Sequence, residues 1–396
     1  MENIFKENIN QFTKELKLLL SFFKKESDAT LFNNRYFEDI NWNSFIQLSI
    51  HHRVFPFIYK RLKELKGDYI PATVLQEFSR IYQKNIFRML HLSGETQKIS
   101  KLFSNNQIRT LFLKGPVLAA DLYGDISLRT SADLDILIPI EKLNQAEEIL
   151  LNEGYIKDEY ISTVLNDWKW RHHHFTFFHP QKDVKVEIHW RLNPGPAKEP
   201  KFDDLWKRKR VSSLSSELIY TLGLEDLFLF LVSHGARHGW SRLRWLDDIK
   251  QIIESEINWK KTINLLKNFH YYDVGGQALY LAFHLLDAKV TPDLSKMINR
   301  KRTKQLSLDA LFYIKQMINL HTDPVPKEVS EYHKRHLFYL MSINQKFFFV
   351  LSFLYPYPED AEFLPLPKAF HFLYFPLRPV IYLLRKTKLR SETRRA

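Results

Sequence analysis

Two short stretches of strict alternation constrain this chain more than anything else in its 396 residues. In Asp133-Leu-Asp-Ile-Leu-Ile138 and in Val184-Lys-Val-Glu-Ile-His-Trp190, apolar and ionisable side chains take turns. Successive side chains of a β-strand point to opposite faces, so each stretch predicts a half-buried strand. In the first, Leu134, Ile136 and Ile138 face the core while Asp133 and Asp135 face away. In the second, Val184, Val186, Ile188 and Trp190 face the core while Lys185, Glu187 and His189 face away. Placed side by side, the two strands bring three carboxylates to one edge. Such a cluster is electrostatically unfavourable unless a hard divalent cation neutralises it. Magnesium (or manganese) suits it, because these ions take carboxylate oxygens and leave positions open for phosphate and water. Asp133, Asp135 and Glu187 are therefore the candidate metal ligands and catalytic residues. Read one strand at a time, the same acids are ordinary solvent-facing positions; it is the pair of strands together that argues for a site.

The surrounding pattern predicts an α+β fold, a small mixed β-sheet core flanked by N-terminal and C-terminal helical regions. Residues 1–95 read as helical, with an amphipathic stretch over 15–23 and apolar residues near a helical period from Trp42 to Leu65, broken at Pro56. The core is expected over 96–220. Arg109 to Leu113 reads as a strand, and Gly115-Pro116 as a strand-to-helix turn with Pro at the first helical position. A helix over 117–123, a strand over 134–139 and a helix over 141–153 ended by Gly154 follow. Two antiparallel strands, over 171–178 and 183–190, are joined at Pro180-Gln-Lys-Asp183. Residues 221–325 predict a helical domain. Residues 326–396 are aromatic and punctuated by Pro356, Pro358, Pro365, Pro367, Pro376 and Pro379, which predicts an extended strap laid over that domain and ending in a basic tail.

Composition excludes several chemistries. With no cysteine there is no disulfide, thiolate metal site or thiol nucleophile, and a reducing compartment is the natural setting. The longest apolar run, Phe347 to Tyr355, is far short of the roughly 20 residues of a membrane helix. The N-terminus lacks the layout of a secretory signal, so a soluble cytoplasmic protein without a transmembrane segment is expected. The formal charge is +13, and the stretch from Arg378 to Ala396 holds seven basic residues against one acidic. That tail is either simply solvated or a contact for a phosphate-rich partner such as RNA or an acidic membrane surface.

The block between residues 111 and 192 resembles the nucleotidyltransferase superfamily, whose signature is a small-residue turn, an Asp-x-Asp pair on a strand and a third carboxylate on a later strand. More closely, it resembles a bacterial group of uncharacterised nucleotidyltransferases, through Leu113-Lys-Gly115, Leu122-Tyr123, Arg129, Asp133-Leu-Asp-Ile-Leu137 and Glu187-Ile-His-Trp190. The likeness extends to Trp42, His51-His-Arg-Val54, His234-Gly-Ala-Arg-His238, Arg242-Leu-Arg-Trp-Leu-Asp247 and Arg378-Pro379. The resemblance implies magnesium-dependent transfer of a nucleoside monophosphate from an NTP, ATP by default, to an acceptor with release of pyrophosphate. Asp133 and Asp135 would bind the metal ions, and Glu187 would complete one metal site and help deprotonate the acceptor hydroxyl. The acceptor is a small metabolite, a sugar or a peptide. Alternatives are an RNA (tRNA-end) acceptor, a hydrolase using the same carboxylates, and a non-catalytic nucleotide-binding or partner-binding module. Lys114-Gly115 departs from the superfamily's usual Gly-Gly or Gly-Ser, although it is normal in the closer group. Gly115 would still let backbone amides at a helix N-terminus approach a triphosphate.

Other residues are assigned around this centre. Lys114, Gly115, Arg129, Ser131 and His189 are the candidate nucleotide contacts. Lys114 either binds phosphate or pairs with the carboxylates, Arg129 either does the same or makes a structural ion pair, and His189 either acts on substrate or is a polar neighbour. His234 and His238 lie one helical turn apart, but no Glu follows the first, so the zinc-protease motif is absent. They form either a structural pair or, with Arg242, Arg244 and Asp248, a wall closing over the substrates. In Arg171-His-His-His174 strand alternation would send His172 and His174 one way and His173 the other, leaving His174 as the candidate to line a cleft. Phe347-Phe-Phe349 and Phe372 to Phe375 are expected to pack in a core.

Overall fold

Five-residue β2 (Asp133–Leu137) and six-residue β5 (Val184–His189) lie at the centre of one mixed sheet. The remaining strands are β1 (Leu111–Phe112), β3 (Ile156–Lys157), β4 (His174–His179), β6 (Arg210–Val211) and β7 (Tyr220–Thr221), in the order β3-β4-β5-β2-β1-β7-β6. The structure is a computed structural model that describes residues 1–24, 34–65, 69–159, 161–320, 322 and 324–393, so the last three residues of the basic tail lie outside the described residues. β2 and β5 are parallel, with Asp133 opposite Lys185 and Asp135 opposite Glu187. β4 runs antiparallel to β5, placing His174 opposite His189. The alternation read from the sequence therefore operates as expected: Leu134, Ile136, Val184, Val186 and Ile188 are buried on one face and the ionisable residues share the other.

Local signals explain the elements around the sheet. After β1 the chain turns at Gly115, whose φ of +76° is accessible mainly to glycine, and Pro116 opens a helix to Tyr123. That helix ends in the left-handed Gly124. Helix Trp42–His51 is capped by Asn41, whose side chain accepts from the Ser44 amide at 3.0 Å. Helix Phe55–Glu64 starts with Pro56 in its first turn. The break between the two is thus at His52-Arg53-Val54, just ahead of the proline. The expected helix over 141–153 is a 3-10 turn, Ile140–Lys142, running into helix Leu143–Asn152.

Packing joins what the sequence divides. Helix Ala72–Asn105 is 34 residues long, so the expected boundary at residue 95 falls inside one element. Its first half, through Val74 and Phe78, packs with the N-terminal helices; its second half, through Met89, Leu92, Ile99 and Phe103, covers the sheet. The N-terminal helices share a single apolar core with helices Leu224–Arg237, Leu243–Ile253 and Tyr272–Leu286. Phe5 meets Tyr280 edge to face at 5.0 Å, and the buried Lys250 ammonium donates to the carbonyls of Phe23 at 2.6 Å and Leu286 at 2.9 Å.

The C-terminal segment departs from expectation twice. It is not extended but mostly helical, with helices Lys327–Leu340, Ile343–Ser352, Pro358–Phe363 and Tyr374–Thr393. Pro358 sits in a first turn and Pro326 and Pro367 sit at N-cap positions, where proline is tolerated, while Pro379 lies inside helix Tyr374–Thr393. Nor do its phenylalanines build a core: Phe347, Phe348, Phe372 and Phe375 are exposed. The face turned inward carries polar and charged groups instead, Gln345, Asp360 and Arg378 among them.

Candidate functional site

The ionisable faces of β2, β5 and the start of β4 form the floor of a cavity of about 590 Å³. Asp135 is fully buried there, and Lys114, just before the Gly115 turn, places its ammonium 2.9 Å from Asp135 Oδ1. His189 Nε2 lies 3.3 Å from the same oxygen and 3.5 Å from Glu187 Oε2. Lys185 reaches Glu187 at 2.6 Å, and His174 stands 3.7 Å from it. Asp133 is more open, and the Ser131 hydroxyl donates to its backbone carbonyl at 3.0 Å.

Burial and neighbours push these groups apart. Burial and the adjacent Asp135 raise the Asp133 carboxyl above the usual range. Burial works in the same direction on Asp135, but Lys114 and the His189 contact outweigh it and hold Asp135 below its ordinary value. Glu187 is likewise depressed, with burial opposed by His189, His174 and Lys114. For His189, burial is outweighed by Asp135 and Glu187, which raise it above its ordinary value. Burial lowers His174 to about 4.

The donor set fits a divalent cation. Asp135, Glu187 and His189 each bring a ligand atom within 4.8 Å of the others, and neither buried oxygen of Asp135 accepts an aligned hydrogen bond despite the nearby Lys114 and His189. Carboxylate oxygens are what magnesium and manganese select. Asp133 stands outside that tight set, one pleat along the same face. Two lysine ammoniums supply the neutralising charge that the acids require.

The walls are cationic. Among the described residues, the lining includes Arg53, Lys114, Arg129, Lys185, Arg237, Arg242 and Arg244 against only Asp133, Asp135 and Glu187. Arg242 donates to the His51 carbonyl at 2.5 Å and to Asn319 at 3.3 Å, and Arg244 donates to the Thr130 carbonyl and, at 3.0 Å, to its hydroxyl. His234 and His238 line the cavity with ring centroids 4.7 Å apart, both packed on Trp245. Arg129 is 1% exposed and turns its guanidinium onto Asp248, at 2.8 and 3.0 Å. Asp248 also accepts from Tyr123 at 2.8 Å, and it lies behind the wall instead of lining the cavity. Gly115 stands behind the floor, where a Cβ would lie 3.5 Å from the Asp133 carbonyl.

The arrangement also corrects the reading of the histidine run. β4 begins at His174, so Arg171 belongs to a helical turn, Trp168–Arg171, and alternation does not apply to His172 and His173. His173 Nε2 therefore lies 3.1 Å from His174 Nδ1, and both converge with His189 to within 4.8 Å. Arg53 and Arg237 also line the cavity; they stand within His51-His-Arg-Val54 and His234-Gly-Ala-Arg-His238, and no spacing or alternation of their own marks them. Neither guanidinium has a hydrogen-bond or ion-pair partner among the described residues, and the Arg237 Nε is buried. A guanidinium that faces a cavity with no hydrogen-bonded carboxylate of its own is suited to an anionic ligand.

A sequence model of a family described as uncharacterised nucleotidyltransferase matches residues 38–287, more than half of the chain. No curated protein and no solved structure matches it. The matched span contains every residue that lines the cavity except Asn319.

Proposed function

The chain belongs to the uncharacterised nucleotidyltransferase family, and from that membership we propose that it transfers a nucleoside monophosphate group from an NTP to a hydroxyl of a small metabolite, sugar or peptide. The observation that carries this reading is the pairing of a three-carboxylate floor with a wall rich in arginine and lysine. A metal triphosphate has the complementary distribution, cation on one side and phosphate oxygens on the other. The cavity volume of about 590 Å³ is in the range of small-ligand sites.

A divalent cation, Mg2+ or Mn2+, held by Asp133, Asp135 and Glu187, would polarise the phosphate oxygens and acidify the acceptor hydroxyl. The chain's own groups supply positioning and charge, which is most of what phosphoryl-type transfer requires. Arg53 and Arg237 have donors free for the triphosphate. Lys114, now 2.9 Å from Asp135, would be the residue to meet a phosphate oxygen. Glu187 accepts the proton of the acceptor hydroxyl. The acceptor oxygen attacks the α-phosphorus, the bond to the β-phosphate bridging oxygen breaks, and pyrophosphate leaves against the arginine wall. His189, 3.3 Å from Asp135 and 3.5 Å from Glu187, holds both carboxylates in place.

Titration of ATP, GTP, CTP and UTP with magnesium, beside the Asp133→Asn, Asp135→Asn double variant, tests the proposal. The expected result is magnesium-dependent binding of at least one nucleotide, weakened about 100-fold or more in the folded variant, since metal stabilisation of phosphate charge amounts to several kcal/mol. Nucleotide binding that is indifferent to both magnesium and the two substitutions would overturn it.

A further inference from the structure

The C-terminal helices are amphipathic the wrong way round for water. Of the 31 large apolar side chains exposed among the described residues, 18 lie between Phe338 and Leu384. On helix Ile343–Ser352, Ile343, Phe347, Val350 and Leu351 recur at helical spacing and form one outward stripe, with Ile343 82% and Phe347 61% exposed. Gln345 is buried on the opposite face. Helix Tyr374–Thr393 repeats the inversion. Val380, Leu383 and Leu384 point outward, while Arg378 is buried with Tyr374 and Ile381. Its guanidinium holds the fully buried Asp360 at 2.5 and 2.6 Å, and Arg385 adds a contact at 3.0 Å. Ring contacts between Phe349 and Phe353 at 5.0 Å and between Tyr355 and Phe375 at 5.1 Å run through the region.

A solvated helix keeps its hydrocarbon inside; these two turn much of theirs outward. Exposed apolar surface of this extent marks an interaction site. Its chemistry selects the partner. The apolar stripe of the last helix runs directly into Lys386, Lys388 and Arg390, followed in sequence by Arg394 and Arg395 with only Glu392 opposing them. Aliphatic and aromatic side chains followed by a cluster of basic residues are what an anionic lipid surface attracts. No helix among the described residues is long and apolar enough to cross a membrane, so the contact is with the interface. The whole region also lies beyond residue 287, where the family match ends, and it contributes nothing to the cavity lining.

We propose that residues 338–390 dock this protein on the surface of a negatively charged lipid bilayer, with the outward stripes of both helices inserted among the lipids and the basic residues against their headgroups. The inference does not rest on the catalytic reading, and its test needs no nucleotide. The full chain is sedimented with vesicles of phosphatidylcholine, with and without phosphatidylglycerol. The chain is expected to pellet with the anionic vesicles. A Phe347→Ser, Leu383→Ser, Leu384→Ser variant should lose about ten-fold or more of the partition coefficient, because each removes several buried methylenes. A Lys386→Glu, Lys388→Glu, Arg390→Glu variant should lose a similar factor on anionic vesicles only. Two results would overturn the proposal: wild-type chain left in the supernatant at every composition, or both variants binding like wild type. Analytical ultracentrifugation covers the rival occupant. A wild-type dimer that the apolar variant dissolves, with no vesicle binding, would assign the patch to a second copy of the chain.

Discussion

Lys114 and Lys185 decide how the acid cluster behaves before any ligand reaches it, because each holds one carboxylate at short range, 2.9 Å for Asp135 and 2.6 Å for Glu187. Arg237 is the opposite case, a guanidinium with a buried nitrogen and no partner among the described residues. A largely buried charge without a hydrogen-bonded partner weakens a fold, whereas a charge-assisted bond to a ligand contributes about 1.5–3 kcal/mol. Arg237→Ala is therefore expected to leave the melting temperature of the free protein unchanged or raised. The same variant should weaken nucleotide binding about 10–100-fold. A drop in the free protein's melting temperature with binding intact would make Arg237 a structural residue. A second prediction concerns Asp247, whose carboxyl is raised from 3.8 to about 7 by burial and by the charge of Asp248. Unfolded, it ionises near its ordinary value; folded, it keeps its proton to about neutral pH. Its contribution to stability is thus complete below pH 3.8 and is lost as pH rises through about 7. Asp247→Asn removes the titration, so thermal unfolding should show the variant gaining on wild type at pH 8 by on the order of 1–3 kcal/mol. The gain should shrink towards pH 4.5, and an equal difference at both values would refute the assignment.

At the scale of elements, the seam between the sheet and the helical domain rests on the ion pair of Arg129 and Asp248, both essentially inaccessible. Breaking one side strands the other charge in the interior. Arg129→Met alone is expected to destabilise the protein by about 3–5 kcal/mol. Arg129→Met with Asp248→Leu should recover most of that loss, and chemical denaturation of the three proteins measures the difference. Of the two readings the sequence left open for Arg129, the geometry displays the ion pair. This pattern of legibility is general in the molecule. Alternation revealed β2 and β5, with the faces of Asp135, Glu187 and His189, because a period of two is local and needs no knowledge of neighbours. Gly115-Pro116 was readable for the same reason, as a turn with its own backbone requirement. His173 was not, because its direction depends on β4 starting at His174, after a helical turn that ends at Arg171. Arg53 carries no local signal of its own, since its place in the cavity follows from the packing of helix Trp42–His51 against the Ser241–Arg244 segment, where His51 Nε2 lies 3.1 Å from the Ser241 carbonyl. The inverted helices at the C-terminus misled the reading because clustered phenylalanine signals burial on average, and only the position of Asp360 reveals which face is inside.

For the whole molecule, one cavity draws its lining from the N-terminal helices, the sheet and the helical domain together. A ligand that fills it must stabilise the global fold and not one part alone. Magnesium with the preferred NTP at about 100 times its dissociation constant is expected to raise stability by about 2.7 kcal/mol, seen as a single, cooperative rise in melting temperature. Two transitions, only one of them moved by ligand, would show that the parts melt separately. The ties between those parts carry a further implication. Arg129 to Asp248, Tyr123 to Asp247 and Asp248, Arg244 to Thr130 and Arg242 to the His51 carbonyl pin three sides of the cavity to one another. Among the described residues, these ties oppose a parting of the cavity's sides. Substrates must thread into a vessel whose shape is already set, and selectivity falls to the width of its mouth and to the reach of a few long side chains such as Lys114 and Lys185. Turnover would then be paced by side chains swinging between carboxylate and phosphate, a movement of a few ångströms, and not by the parting of lobes.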